Sequence, residues 1–404
     1  MEKEQIIRKK RSVTLNVTGG KIDSYRKKEE TTGTVRVYRD GCIGVAGCLG
    51  KSDAEVLIQK AEEALALGIH YPCALDDQEE LCVDTQTDIL PEEKLIPAMQ
   101  DMLDKIGQAC PNFAISNKIS LQYNHAEYRN SRGRHLTSDG NVLNIGLVFQ
   151  SRGSGNLMDG FFGYSGKSFR PEYVVDKCKA LHDAYYTPVD IEEGEWPVIM
   201  EQTDLFGNFL QHFLGEMYAS GASLVHGKLG ERIFSSKLTL ADDRNPETNP
   251  GSVFFDAEGQ VSPDYRSPLI QNGVLTGLLT TKNTAAQFGL PVSKTSSSAY
   301  DGVPSIGMAG LYVAPTAESI GQLVPGKAIY VVMASGGDTT PSGHYATPVQ
   351  AAYLLENGKL AGRLPELNIS GDFFSILGEN YMGCVHGDLV ENCQFCCTKM
   401  KVTK

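Results

Sequence analysis

Short segments in which apolar and polar residues alternate, closed by Asp-Gly or Asn-Gly pairs, restrict the fold of this chain more than any other feature. Alternation with a period of two is typical of a strand with one buried face. Asp-Gly and Asn-Gly pairs readily adopt the positive φ angles that tight hairpin turns require. Such pairs stand at Asp40-Gly41, Asn272-Gly273 and Asn357-Gly358, each beside apolar strand segments. The sequence therefore predicts hairpins in both halves of the chain.

Helix and strand patterns fill the regions between these turns. Ser52-Asp53-Ala54-Glu55 forms a capping box, and apolar residues at helical spacing follow it up to Gly68. The sequence predicts helices at residues 52–67, from Pro91 onwards, at 171–186 and at 205–218. It predicts further strands at residues 115–123, 126–128, 142–149 and 328–332, with turns at residues 130–133 and at Asp139-Gly140.

These patterns predict an α+β fold with two lobes. We expect an α/β N-terminal lobe of strand hairpins and helices, and a mainly β C-terminal lobe with a large mixed or antiparallel sheet. Residues 187–195 are acidic and contain Pro188, a composition that suits a linker. The predicted domains are therefore an N-terminal domain over residues 1–187 and a C-terminal domain over residues 188–404.

Charge and hydropathy narrow the possible partners. The 404 residues carry a formal net charge of -12, which repels nucleic acid and anionic membrane surfaces. The single basic run, Arg8-Lys9-Lys10-Arg11, is predicted to be a solvated terminal arm. No apolar stretch is long enough to cross a membrane or to act as a secretory signal, so we expect a cytoplasmic protein with no nucleic-acid or membrane partner. Its ten cysteines then read as reduced thiols.

Several separate motifs, in a fixed order, carry a resemblance to a known family. In the first half these are Val35-Arg36-Val37-Tyr38-Arg39-Asp40-Gly41 and Asn130-Ser131-Arg132-Gly133. In the second half they are Lys228-Leu229-Gly230-Glu231-Arg232-Ile233-Phe234, Phe255-Asp256-Ala257-Glu258-Gly259 and Ile270-Gln271-Asn272-Gly273-Val274-Leu275-Thr276-Gly277-Leu278-Leu279. Together they resemble the TldD/PmbA family, also called modulators of DNA gyrase. The resemblance implies a metalloprotease system of two related subunits that acts on unfolded or unstructured peptides, with zinc only in the TldD-type subunit.

The zinc motif of that family is absent from this sequence. In the zinc-bearing branch a helix presents HExxxH, in which two imidazoles bind the metal and the Glu activates water. The resemblance places Gln211, His212 and Glu216 at those three positions. The family's third ligand is a Cys of the second lobe, yet no Cys lies between Cys178 and Cys384. We therefore expect no cofactor in this chain, as in the PmbA or TldE branch, and zinc in a TldD-type partner.

Other residue groups are candidates for substrate contact. The glycine-rich segment from Met333 to His344 resembles the family's segment near the active groove, or is a plain loop. Asp256 and Glu258 could share one side of a strand that lines a cleft, or a solvated surface. His212 is either a packed core histidine or a site residue. The candidate substrate-binding residues are His212, Glu216, Asp256, Glu258, Ser335, Gly336, Asp338 and His344, and no catalytic residue is assigned.

Three functional hypotheses remain open at this point. The leading one is a PmbA/TldE-type subunit that pairs with a zinc-bearing TldD-type chain and helps to hold an extended peptide as an added β-strand. The second is a homodimeric peptide-binding protein without protease activity. The third is a hydrolase with its own metal site in the C-terminal cluster of Cys384, His386, Cys393, Cys396 and Cys397, where residues 398–402 also resemble a final strand.

Overall fold

The computed structural model describes residues 1–51 and 53–404, and its first half is built on one long, curved sheet. The strands of this sheet are β1 Glu2–Thr18, β2 Lys21–Arg39, β3 Cys42–Leu49, β4 Glu80–Asp84, β5 Phe113–Asn130, β6 His135–Ser151 and β7 Gly160–Gly166. They lie in the order β3-β2-β1-β5-β6-β4, with β7 also paired to β6. The pairings are antiparallel except that of β4 with β6.

Helices cover one face of the first sheet. They are α1 Ala54–Ala64, α2 Glu92–Ala109 and α3 Pro171–Tyr185. The capping interaction of α1 is present, because the Asp53 carboxylate accepts from the Glu55 amide, and the chain leaves the helical region at Gly68 with φ of 64°. Ser52, the first residue of the predicted capping box, lies outside the described residues. On the covered face, Val13, Leu15 and Val17 of β1 are buried against α2 and α3.

Two local predictions in the first half are wrong. Arg8-Lys9-Lys10-Arg11 is not a terminal arm: it lies in the middle of β1 and pairs with β2 on one side and β5 on the other. The turn predicted at Asp139-Gly140 is interior to β6, and the strands predicted at 115–123 and 126–128 are one strand, β5. Sheet pairing on both sides extends these strands through residues that would form a turn in isolation.

The second half is mainly β. Its strands are β8 Gly194–Glu201, β9 Leu240–Asp243, β10 Arg266–Gln271, β11 Val274–Leu275, β12 Ser296–Ser297, β13 Ser305–Ile306, β14 Leu311–Val313, β15 Lys327–Ala334, β16 Asp338–Thr339, β17 His344–Glu356, β18 Lys359–Arg363, β19 Leu367–Asp372, β20 Tyr381–His386 and β21 Gln394–Thr403. The larger sheet runs β15-β8-β21-β19-β17-β16, and a further pairing of β15 with β17 closes five of these strands into a ring as far as the described residues show. The α+β fold is thus confirmed.

The hairpin turns of the second half match the sequence prediction. Asn272-Gly273 joins β10 to β11, and Asn357-Gly358 joins β17 to β18. All four residues have positive φ, between 48° and 80°, which is the backbone geometry of a type I′ turn. The predicted linker at residues 187–195 is irregular up to β8, and the domain boundary at 187/188 stays a prediction.

The single helix predicted at residues 205–218 is wrong. The segment consists of α4 Gln202–Phe206, a 3-10 turn Gly207–Phe213, and α5 Gly215–Ala219, with Leu214 extended between them at ψ of 128°. The Gly215 amide donates to the Leu279 carbonyl at 2.9 Å, and Leu214 forms an isolated parallel bridge with Leu279. A tertiary hydrogen bond thus replaces a helical one, and the predicted helix is divided into short turns.

The remaining helices are short and follow in the same half. They are α6 Lys282–Phe288, α7 Ile320–Leu323 and α8 Phe373–Leu377. Within residues 1–51 and 53–404, no helix is long and apolar enough to span a membrane.

The break at Gly215 gives a testable prediction. A Cβ on Gly215 would lie 2.7 Å from Thr280 Cγ2, so Gly215→Ala should destabilise the protein by about 1–3 kcal/mol despite the higher helix propensity of Ala. Gly207→Ala is the matched control: Gly207 is helical, and a Cβ there meets nothing within 4 Å. It should be neutral or stabilise by up to about 1 kcal/mol. Urea unfolding measures both, and equal effects would contradict this account.

Candidate functional site

The three residues at the zinc-motif positions face different environments. Gln211 and Glu216 are exposed, whereas His212 is only 4% exposed. The His212 ring packs on Phe373, with ring centroids 5.4 Å apart. Its Nδ1 lies 3.4 Å from the amide of Leu224, which donates to it, and its Nε2 has no partner among the described residues. Burial lowers the pKa of His212, so this side chain is a neutral core imidazole.

This donor set does not suit zinc. A neutral amide is a poor zinc ligand, His212 faces the core, and Glu216 lies on α5, beyond the extended residue Leu214 that breaks the helix. Across the described part of the chain, no group of three or more His, Cys, Asp or Glu side chains is arranged to hold a metal ion. These residues are therefore not suited to hold a catalytic metal.

The C-terminal cysteines do not converge either. Cys384 of β20 lies opposite Cys396 of β21, and both are buried. Cys397 follows Cys396 on the strand, so it points to the other face, where its thiol contacts Met382 Sδ at 3.6 Å. His386 is exposed, and burial raises the pKa of both Cys393 and Cys397 to about 12. These side chains therefore do not form a convergent ligand set within the described part of the chain.

The glycine-rich segment forms an exposed hairpin loop between β15 and β17. Ser335, Gly336 and Asp338 are all exposed, and β16 lies at the end of the strand order. His344 is exposed as well, and its Nδ1 lies 3.3 Å from the carboxylate of Asp372. No hydrogen bond joins the side chains of Ser335, Asp338 and His344 among the described residues. The structure therefore assembles no Ser-His-Asp arrangement here.

A small cleft separates this loop from the interrupted helical segment. Its volume is about 290 Å³, and its walls include Asp204, Asn208, Ser335, Gly336 and Tyr345. Asn208 Nδ2 donates to the Asp204 carbonyl at 2.7 Å and lies 3.4 Å from the Tyr345 hydroxyl. Of the eight candidate residues, only Ser335 and Gly336 line this cleft. The exposed loop thus faces Asp204 and Asn208, near the start of the segment from Gln202 to Ala219. It does not share this cleft with Gln211 or Glu216.

Asp256 and Glu258 lie in a tight turn between Phe255 and Val261, which bridge each other. The expectation that they share one side of a strand is wrong, because the chain reverses here and Gly259 has φ of 69°. Both side chains are buried. The Asp256 carboxylate accepts from the amides of Glu258 and Gln260. It also accepts from the amide and hydroxyl of Ser296, so it is saturated by the fold.

Glu258 joins the two halves of the chain. Its carboxylate accepts from the Tyr71 hydroxyl and from the Lys282 amide. Burial, followed by the charge of Asp256, raises the pKa of Glu258 to about 7. Lys282 Nζ in turn lies 3.0 Å from Asp76. Glu258 is therefore a buried acid that holds the turn to the first half.

Sequence reasoning missed a second buried contact beside this turn. Arg36 is fully buried, and its Nη1 donates to Glu4 Oε1 at 2.7 Å and to the Ala257 carbonyl at 2.5 Å. Tyr38 and Tyr128 donate to the same Glu4 carboxylate. Alternation along β2 places Arg36 on the face opposite to the buried Val35 and Val37, and the local pattern does not indicate what covers that face. Only the second half of the chain, packed on that face, buries it.

Comparisons with known proteins agree with this architecture. A family model described as "PmbA/TldA metallopeptidase C-terminal domain" matches residues 193–402, and one described as "PmbA/TldA metallopeptidase domain 1" matches residues 6–68. A protein of Archaeoglobus fulgidus named "Metalloprotease" is 24% identical over 390 residues, covering 91% of this chain and 88% of its own length.

Two solved structures share the whole fold. A modulator of a DNA gyrase from Thermotoga maritima has a TM-score of 0.78 at 18% identity, and TldE from Thermococcus kodakarensis has a TM-score of 0.78 at 19% identity. Each match covers 100% of this chain and 96% of the other. At these identities the two structures establish the fold and nothing finer.

The raised pKa of Glu258 predicts how stability depends on pH. A carboxyl group with a raised folded-state pKa stabilises the fold below its unfolded pKa, and that contribution is lost as pH rises through the folded value. Between about pH 4.5 and about 7, the wild type should therefore lose stability relative to Glu258→Gln, whose amide stays neutral. Chemical unfolding at a series of pH values measures this difference. The exposed control Glu318→Gln should show no such trend, and a flat difference for Glu258→Gln would contradict the prediction.

Proposed function

The chain belongs to the TldD/PmbA family of metallopeptidases, and on that premise we propose that it is the subunit without zinc in a two-subunit peptidase. Its partner would be a TldD-type chain that carries the metal and performs the hydrolysis. The substrate would be an unfolded or unstructured peptide. This chain would close the cavity around the partner's zinc and hold the peptide.

One observation carries this proposal. The positions that bind and activate zinc in the other branch hold Gln211, His212 and Glu216, and the backbone between them is broken at Leu214. The change thus affects ligand chemistry and backbone geometry together. A continuous helix with substituted ligands would keep the helical spacing of these positions. Here the helix is interrupted, and the segment packs on Leu279 and Phe373 as part of the core. The rest of the fold is retained, as a binding subunit would require.

The exposed candidate residues suit contact with an extended chain. We propose that Ser335, Gly336 and Asp338, with β16 at the end of its sheet order, offer the backbone groups to which a peptide adds as a strand. His344 and Glu216 would contact its side chains. His212, Asp256 and Glu258 are buried, so we propose that they support the frame and do not touch substrate.

Reconstitution with a partner tests the subunit assignment. The chain should be mixed with the HExxxH-bearing TldD-type chain encoded in the same genome, and cleavage of an unstructured peptide measured for each chain alone and for the mixture. We expect cleavage by the mixture, with about one zinc per heterodimer that follows the partner chain. Gln in place of the Glu of the partner's motif should abolish cleavage, whereas His212→Phe here should leave it within about twofold.

Two outcomes would overturn this assignment. Cleavage by the lone chain with its own tightly bound zinc would favour a self-sufficient hydrolase. A homodimer that binds peptide, with no effect on the partner's activity, would favour a binding protein without protease function.

The exposed loop gives a second test of the same proposal. In the reconstituted mixture, Asp338→Ala with His344→Ala should raise KM by about threefold to tenfold and leave kcat nearly unchanged, because these side chains would contribute uniform binding. Glu379→Ala with Glu318→Ala, exposed acids away from the loop, is the control and should change neither constant. An equal fall in kcat and kcat/KM would argue against a role confined to holding the peptide.

A further inference from the structure

A groove of about 570 Å³ lies on the face of the first sheet that α2 and α3 do not cover. Its floor is formed by β1, β5 and β6, and one wall is the segment from Pro250 to Val253. The wall is fixed at Gly251, which has φ of 83° and whose carbonyl accepts from Asn124 Nδ2 at 3.0 Å. A Cβ on Gly251 would lie 2.9 Å from Val142, so the wall approaches the sheet closely there.

The strand register places a set of polar side chains on this one face. Lys10 pairs with Asn124, Ser12 with Gln122, and the next pair along β5 and β6 is Ser120 with Asn144. Directly opposed residues point to the same side of a sheet, as do residues two apart. The floor of the groove is therefore lined by Arg8, Lys10, Gln122, Asn124 and Asn144.

The two cations of the floor have no acid paired with them. Within residues 1–51 and 53–404, no carboxylate lies within 4 Å of the side-chain nitrogens of Arg8 or Lys10. Arg8 Nη1 is directed to the Ser298 carbonyl at 3.4 Å. Lys10 lies opposite Glu30, but that carboxylate is paired with Lys28 at 2.7 Å.

The surroundings of Arg8 add positive charge. Burial, then the charges of Arg36 and Arg244, lowers the pKa of Arg8. The charge of Asp256 acts in the opposite direction on the pKa of Arg8. The Asp256 carboxylate already accepts hydrogen bonds from its own turn and from Ser296. Arg8 is half-buried, so its attraction to an anion is stronger than in open water, because the local dielectric is lower; Lys10 is exposed and adds its charge at the edge of the groove. The groove is thus a positive site on a chain of net charge -12.

The amides of the floor match a peptide. The side chain of Asn144 makes no hydrogen bond to another described residue, and Gln122 bonds only to the neighbouring Ser120 hydroxyl. Side-chain amides offer both a donor and an acceptor. They can therefore accept from the N–H and donate to the C=O of a peptide backbone. The groove therefore combines charge for carboxylates with hydrogen bonding for a backbone.

We propose that this groove binds an acidic stretch of an extended peptide, with Arg8 and Lys10 on its carboxylates and the amides of Gln122 and Asn144 on its backbone. This inference rests on the proposed function, and it names the class of substrate segment that the chain selects. A nucleic acid is the less suitable occupant, since neutralising two phosphates gives little affinity and the rest of the chain repels the others.

Peptide binding by the full-length chain tests the groove. Two labelled unstructured peptides are compared by fluorescence anisotropy at about 0.15 M ionic strength; they are identical except that one carries Glu where the other carries Gln. We expect the wild type to bind the Glu peptide roughly tenfold more tightly, and Arg8→Gln with Lys10→Gln to lose that preference. Lys10→Gln alone, whose side chain makes no hydrogen bond to a described residue, should lose part of it without affecting folding.

A matched control and a competing ligand complete the test. Lys399→Gln with Lys401→Gln makes the same change in net charge on exposed positions of β21, and it should keep the preference. Equal binding of the two peptides by the wild type, or a preference that survives loss of Arg8 and Lys10, would overturn the groove assignment. Tighter binding of a single-stranded oligonucleotide, lost in the Arg8/Lys10 variant, would overturn it in favour of nucleic acid.

The two proposals fail in different ways. Peptide cleavage by the reconstituted mixture, with no difference between Glu and Gln peptides, would leave the subunit assignment standing and remove the acidic preference. A Glu preference in the lone chain, with no effect on any partner, would keep the groove and remove the subunit assignment.

Discussion

A buried ion pair between Glu4 and Arg36 is the contact on which the arrangement of the two halves depends. Taking both charges out of water is costly, and it is offset only when the remaining donors and acceptors are satisfied. Here Glu4 also accepts from Tyr38 and Tyr128, while Arg36 reaches the Ala257 carbonyl and Ser298. Only Arg36 Nε lacks a partner among the described residues. Because both of these acceptors of Arg36 belong to the second half, its hydrogen bonds are complete only when the halves are docked.

The turn at residues 255–261 of the second half makes further contacts with the first half. Asp256 orders the turn through backbone amides, and Glu258 anchors it to Tyr71. The sequence indicated these acids as candidates for substrate contact, whereas the structure buries both of them. Their placement leaves the neighbouring face of the first sheet open, where Arg8 and Lys10 remain without acidic partners. The packing of the second half on the first thus buries Arg36 and leaves a positive groove at Arg8 and Lys10.

The chain has the architecture of the TldD/PmbA family, and the segment from Gln202 to Ala219 is packed into its core. Short turns at α4, the 3-10 segment and α5 pack Phe209, His212 and Phe213 inward. What remains exposed nearby is backbone-rich: the loop of Ser335 and Gly336 and the edge strand β16. That exposed backbone is the basis of the proposed contact with an extended peptide. The loop of Ser335 lies in the second half, whereas the groove is formed by strands of the first sheet together with the segment from Pro250 to Val253.

Local patterns determined much of the fold. Positive φ at Asn272-Gly273 and Asn357-Gly358, and the presence of helices α1 and α2, follow from short-range stereochemistry and periodicity, so the sequence alone predicts them. The absence of HExxxH is likewise a property of the sequence. Tertiary structure decided the break at Leu214, the burial of Arg36, Asp256 and Glu258, and the burial of Cys384 and Cys396. Each depends on a partner distant in the chain, such as Leu279 or Ala257, and no local pattern encodes which distant group will occupy a given face.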